Sequence, residues 1–110
     1  MVLPHRESAY IPPAKLTGYL LSETHPVGRF KARLFYAAGY DPTNAQSLER
    51  ALIDIAHEQE VTDTISTSYG TIYIIDGTLQ TPMGIDLQIR TVWIIVSGES
   101  SPRLVTAYPD

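Results

Sequence analysis

His25-Pro26-Val27-Gly28-Arg29-Phe30-Lys31 is the densest run of chemically capable side chains in this chain of 110 residues. An imidazole titrates near neutrality and can move a proton. The run also has the character of a helix start, where unpaired backbone N–H groups and the positive end of the dipole favour anions. Gly28 would let a phosphate come close to the backbone. Arg29 and Lys31 add two cations within one turn, although in a helix they point about 160° apart. Such a grouping suits a phosphodiester held beside a proton-transferring histidine. It reads equally as a helix-start turn with solvated cations.

A second group lies near the other end, in Arg103-Leu104-Val105-Thr106-Ala107-Tyr108-Pro109. Strand alternation puts Leu104, Thr106 and Tyr108 on one side. Thr106 or Tyr108 could hydrogen-bond a phosphate oxygen, and a tyrosine ring can stack on a base. Arg90 could join them from a neighbouring strand, although its face also carries Val92, Ile94 and Val96. Alternatively, Thr106 and Tyr108 merely finish a terminal strand. His57 falls at the end of a helix and suits a partner for its C-terminal dipole.

Metal and cofactor chemistry finds no foothold in the motifs. His5, His25 and His57 have no H-x-x-x-H or H-E-x-x-H spacing. The absence of cysteine removes disulfides, thiolate catalysis and Cys-ligated zinc. There is no phosphate-binding P-loop, dinucleotide fingerprint or G-x-S-x-G elbow. The expectation is no metal and no cofactor.

These side chains need elements to position them. Pro12-Pro13 opens a short helix, since proline is welcome where its missing N–H would be unpaired anyway. It places Leu16, Tyr19 and Leu20 on one face. Ser22 to Pro26 breaks it. A second helix is expected from Val27 or Gly28 to Ala38, with Phe30, Leu34, Ala37 and Ala38 as its apolar stripe. Arg29, Arg33 and Tyr36 share the other side, Lys31 flanks the stripe, and Gly39 stops the helix. Asp41 to Asn44 is a capping turn before a third helix, Ala45 to Glu58. Its apolar face is Leu48, Ala51, Leu52, Ile55 and Ala56.

The period then changes to two. Strands are expected over Tyr69–Thr81, Ile85–Val96 and Arg103–Tyr108. Thr81-Pro82-Met83-Gly84 and Ser97–Pro102 are the connecting turns. Asp76-Gly77 reads as a further tight turn or as a glycine bulge. The fold class is α+β: about three N-terminal helices, then an antiparallel β-meander with the helices on one face. Residues 1–110 form one domain, with 1–12 as an extended N-terminal arm, 13–60 helical and 64–109 sheet.

The formal net charge of −4 hides a split. Residues 1–36 carry five Lys or Arg against two acids, and residues 37–110 carry three against ten. A fold that gathers the first segment on one face presents a positive field on an acidic protein. No apolar run is long enough to cross a bilayer, and MVLPHRESAY has no signal-peptide core. The default compartment is the cytoplasm, with no membrane partner. Ile72, Tyr73, Ile74 and Ile75 put apolar groups on both faces of one strand. One face therefore meets the helices, and the other is open to a partner, with a homodimer among the options.

The ordered segments Lys15-Leu16 with Tyr19-Leu20-Leu21, His25-Pro26-Val27-Gly28-Arg29 with Lys31-Ala32 and Phe35, Tyr69-Gly70, Asp76-Gly77, Thr81-Pro82 with Gly84, Val92-Trp93-Ile94-Ile95 and Arg103 to Pro109 resemble a family of small, functionally uncharacterised bacterial domains. The pattern spans about Lys15 to Pro109. More distantly, a helical part followed by a meander ending in a Thr-x-Tyr strand resembles the barnase, EndoU, colicin and RelE group of ribonucleases. That resemblance implies a metal-independent ribonuclease of bacterial toxin type. It assigns catalysis to His25, Lys31 and Tyr108 and substrate binding to Arg29 and Thr106, and Arg90 joins the substrate-binding set from its place on the neighbouring strand. RNA and a cognate antitoxin or immunity protein are the implied partners. The chain departs from the better-known members in lacking a second histidine within these motifs and in being acidic. The alternative is a non-catalytic interaction module, a toxin-system accessory or immunity-like protein, whose acidic surface would speed encounter with a basic partner.

Overall fold

Pro12 is extended, with φ −58° and ψ 140°, and Pro13 takes the first helical position of α1 (Pro13–Lys15). This computed structural model describes residues 1–109. α1 widens at once into a π-helical turn, Leu16–Leu20, in which the Leu21 N–H donates to the Leu16 carbonyl at 2.9 Å. The wider turn buries Leu16, Leu20 and Leu21 together and leaves Tyr19 at the rim. π-turns of this kind occur frequently at functional sites.

α2 (Gly28–Ala37) occupies its expected span but is rotated from the expected stripe. Gly28, Ala32 and Phe35 are its buried residues, whereas Phe30 is 57 % exposed and Ala37 faces solvent. The cause is Gly28. A Cβ there would lie 2.1 Å from the Tyr19 carbonyl oxygen, so only glycine allows this approach. That contact sets the helix's rotation, turning Phe35 in and Phe30 out. Gly39, at φ 100°, then ends α2: its N–H donates to Tyr36 and that of Tyr40 to Phe35. These two bonds are the Schellman pattern, which favours glycine at this position. Asp41 and Asn44 cap the next turn reciprocally, and α3 (Ala45–Glu58) follows with Leu48, Leu52, Ile55 and Ala56 in the core.

Four strands form one antiparallel sheet in sequence order: β1 (Asp63–Ser66), β2 (Gly70–Gln80), β3 (Asp86–Val96) and β4 (Arg103–Pro109). The α+β architecture with helices before a meander is as expected. β1 adds a strand that the periodicity did not single out, because its four residues are all exposed and lack an apolar face. β2 runs unbroken through Asp76-Gly77, in continuous register with β3 from Gly70↔Val96 to Gln80↔Asp86. Gly77 is therefore neither turn nor bulge. A Cβ there would meet Ile55 of α3 at 2.8 Å, so the glycine makes room for the helix.

The irregularity lies in β4 instead. Leu104 pairs with Trp93 and Thr106 with Val92, leaving Val105 as an extra residue. Such a bulge re-aims the strand. Leu104 joins the core with Trp93, while Thr106 and Tyr108 take the register of Val92 and Arg90 on the other face. The expected alignment of Leu104 with Thr106 and Tyr108 is thus broken.

The core lies between the helices and the face bearing Ile75, Leu79, Ile89, Thr91, Trp93, Leu104 and Ala107. Its largest buried side chain is Trp93, whose indole N–H donates to the Thr91 hydroxyl at 2.8 Å. That hydroxyl donates in turn to the Ile75 carbonyl at 2.6 Å. Residues 1–12 dock on this body rather than extending from it. Leu3 and Ile11 are buried, the Tyr10 carbonyl accepts from Leu104 N, and Arg6 donates to the His57 carbonyl at 2.7 Å. Among the described residues no helix is long and apolar enough to cross a membrane.

Candidate functional site

Four separate segments meet around the Tyr19 phenol. Lys15 and Tyr19 are four residues apart on the α1 and π-turn segment, and the Lys15 ammonium lies 4.9 Å from the ring centroid. Lys31 reaches from α2, its ammonium 5.4 Å from the same centroid. The His25 imidazole meets the ring edge to face, at 5.0 Å and 89°. Thr106, on the edge strand β4 where the helical layer meets the rim of the sheet, completes the group: its Oγ1 lies 3.3 Å from the Tyr19 hydroxyl. Among the described residues neither lysine is paired with a carboxylate. Two unneutralised ammonium groups at one phenol form a local anion-attracting field.

Burial pushes the Tyr19 phenol up, but hydrogen bonds from Thr106 and Lys31 and the charges of Lys31 and Lys15 more than reverse this. The phenol ends below its ordinary value of 10.0. Its proton is therefore released more readily, and the phenolate left behind is stabilised by cations already in place.

The preceding loop is organised by its own side chains. Ser22 Oγ accepts from the His25 backbone N–H at 3.1 Å. His25 Nδ1 accepts from Val27 N at 3.1 Å and Gly28 N at 3.0 Å, passing over Pro26, which has no N–H to give. A ring nitrogen that accepts two amide protons carries none itself, so the imidazole proton sits on Nε2, as a donor. The next two N–H groups, of Arg29 and Phe30, go to the His25 and Val27 carbonyls. The start of α2 is thus satisfied internally, and the space expected for a phosphate at Gly28 holds the Tyr19 carbonyl. Anion attraction falls to side chains rather than to the helix terminus.

Three substitutions test this local construction. His25→Ala is expected to lose about 0.5–2 kcal/mol, as for other helix caps. His25→Asn places an amide oxygen where Nδ1 stands and is expected to recover that loss, measured by urea unfolding. Gly28→Ala drives a methyl group into the Tyr19 carbonyl. It is expected to cost about 1–3 kcal/mol as an overpacking change. It should also return the Tyr19 phenol towards its ordinary value, read from phenolate absorbance during alkaline titration.

The residues singled out in the sequence fall in three places. His25, Lys31 and Thr106 join the Tyr19 cluster. Arg29 lies on the outer flank of α2, its guanidinium 4.8 Å from the Phe30 centroid. Arg90 is on the sheet face away from the helices, bonded to Asp76 through Nε at 2.8 Å and Nη2 at 3.0 Å, and Tyr108 is its register partner on β4. The phenol that meets His25 and Lys31 is Tyr19. Sequence reasoning treated Tyr19 and Leu16 alike as apolar face. The available signal was Lys15, one helical turn away, because residues i and i+4 are neighbours on a helix surface. Among the described residues no group of three or more His, Asp or Glu stands together to hold a metal ion.

Over residues 2–110 the sequence matches DUF6883, a domain of unknown function. The chain belongs to the DUF6883 family. No curated protein matches it in sequence. In fold, this DUF6883 domain is similar to a chain of a contact-dependent growth inhibition toxin–immunity protein complex from Klebsiella pneumoniae 342. The TM-score is 0.74 over 96 % of both chains, at 14 % identity. The likeness is one of fold.

Proposed function

We propose that this DUF6883 domain is a metal-independent ribonuclease of bacterial toxin type. The observation that carries the proposal is the convergence of Lys15, Lys31 and His25 on a phenol held below its ordinary value. RNA cleavage without metal needs fixed cations for the charge growing on phosphorus and a proton for the departing oxygen. Lys15 and Lys31 hold the phosphate, and His25 donates from Nε2 to a non-bridging oxygen. The 2′-hydroxyl attacks phosphorus and loses its proton to water. The P–O5′ bond breaks as Tyr19 gives its proton to the leaving oxygen. The products are a 2′,3′-cyclic phosphate and a 5′-hydroxyl, and the phenolate regains its proton from solvent. Thr106 orients the phenol. Tyr19 thus fills the phenol role first assigned to Tyr108.

The fold neighbour supports a toxin-system role on either side of such a pair, since it belongs to a toxin–immunity complex. One observation favours the non-catalytic side. Ile72, Ile74, Val92 and Ile94 stay half-exposed on the sheet face away from the core, in a chain of net charge −4. Incubating the purified protein with RNA in EDTA separates the two. Cleavage leaving cyclic-phosphate ends, with growth arrest on expression, is the expected result. Intact RNA and normal growth would transfer the proposal to an immunity-like interaction module.

A further inference from the structure

The outer flank of α2 carries a second arrangement that the Tyr19 cluster does not use. The helix contains Arg29, Lys31 and Arg33 and no acid. Phe30 stands on it 57 % exposed. The Arg29 guanidinium lies 4.8 Å and that of Arg33 5.8 Å from the Phe30 ring centroid. Among the described residues neither arginine is paired with a carboxylate. Beside them runs a cleft of about 340 Å³ lined by Glu23, Arg29, Ala32, Arg33 and Tyr36. Its one acid is Glu23; the Tyr36 hydroxyl donates to the Leu21 carbonyl at 2.9 Å, and burial first, then the nearby Glu23 carboxylate, hold that phenol above its ordinary value.

An exposed aromatic ring with two guanidinium groups beside it is a stacking surface with its own phosphate-binding charges. Phe30, about 100° around the helix from both Arg29 and Lys31, lies between this flank and the side of α2 that faces the Tyr19 cluster. We propose that Arg29, Phe30 and Arg33 hold an unpaired stretch of the RNA next to the cleaved bond, with a base stacked on Phe30 and phosphates on the two arginines. The inference rests on the ribonuclease reading and adds that the substrate is single-stranded. Stacking on a side chain requires a base that is free of its helix.

Binding of a fluorescent, 2′-O-methylated RNA strand, which cannot be cleaved through its 2′-oxygen, tests this by anisotropy. The single strand is expected to bind and the matching duplex to bind at least tenfold more weakly. Phe30→Ala should weaken single-strand binding about tenfold, in line with the loss of one stacked base. Phe30→Trp should keep it, and Phe30→Leu, apolar but unable to stack, should not. Arg33→Ala should reduce the slope of log affinity against log salt by about one. Equal binding of strand and duplex, or binding unmoved in Phe30→Ala, overturns the inference whether or not the protein cleaves RNA. Conversely, Tyr19→Phe with undiminished cleavage but a tenfold defect in Phe30→Ala removes the catalytic assignment and keeps the strand-binding one.

Discussion

Tyr19→Phe is expected to slow RNA cleavage by about 10²–10⁴-fold, the usual contribution of a positioned proton donor. The substitution removes one oxygen, leaves the ring against His25 and Lys15, and ends the 3.3 Å contact with Thr106. Because Tyr19 is half-buried at the core's rim, the fold should survive. The pH profile gives an independent reading. A phenol that must be protonated to act supports activity below its titration and loses it as pH rises through that value. For Tyr19 this value lies below 10.0, so the alkaline limb falls early, and it should disappear from the residual activity of Tyr19→Phe. Lys31→Ala should shift the limb upward, since the ammonium helps hold the phenol down. An alkaline limb unchanged in both variants would remove Tyr19 as the proton donor.

Trp93→Ala is expected to cost about 3–5 kcal/mol, the range for deleting a large buried aromatic. Trp93 is fully buried, and its loss empties the centre of the sheet's inner face. It also strips the Thr91 hydroxyl of the indole N–H it accepts. With total stabilities of about 5–15 kcal/mol typical of single domains, this consumes much of the margin. Trp93 is the chain's one tryptophan, so unfolding is followed by far-ultraviolet circular dichroism rather than fluorescence. Thr91→Val is the finer probe. It keeps the volume but leaves the indole N–H and the Ile75 carbonyl without their shared partner, at about 1–3 kcal/mol. A loss below about 1 kcal/mol in Trp93→Ala would contradict the packing described here.

α3 was readable in its span and in its buried face. Its apolar positions repeat at three and four, the self-capped Asp41–Asn44 turn precedes it and Glu58 ends it, all as local signals. β2 and β3 were readable for the same reason, because period-two alternation is a property of neighbours along the chain. α2 was legible in span but not in rotation. Counting apolar residues put Phe30 inside, whereas the close approach of Gly28 to Tyr19, nine residues earlier, turned it out. Gly77 and the β4 bulge escaped similarly: Ile55 accounts for the first, and pairing with β3 reveals the second.

The local code of this chain therefore specified which segments are helix or strand, their order, and that a histidine and cations gather at the start of α2. Where those groups point was settled by contacts between distant segments. His25 spends one ring nitrogen on its own backbone, Arg90 pairs with Asp76 across the ladder, and the edge strand β4 sets Thr106 against Tyr19, 87 residues away. Periodicity carries the direction of a side chain relative to its own element. The approach of one element to another depends on shape and packing, and no spacing along the chain encodes it.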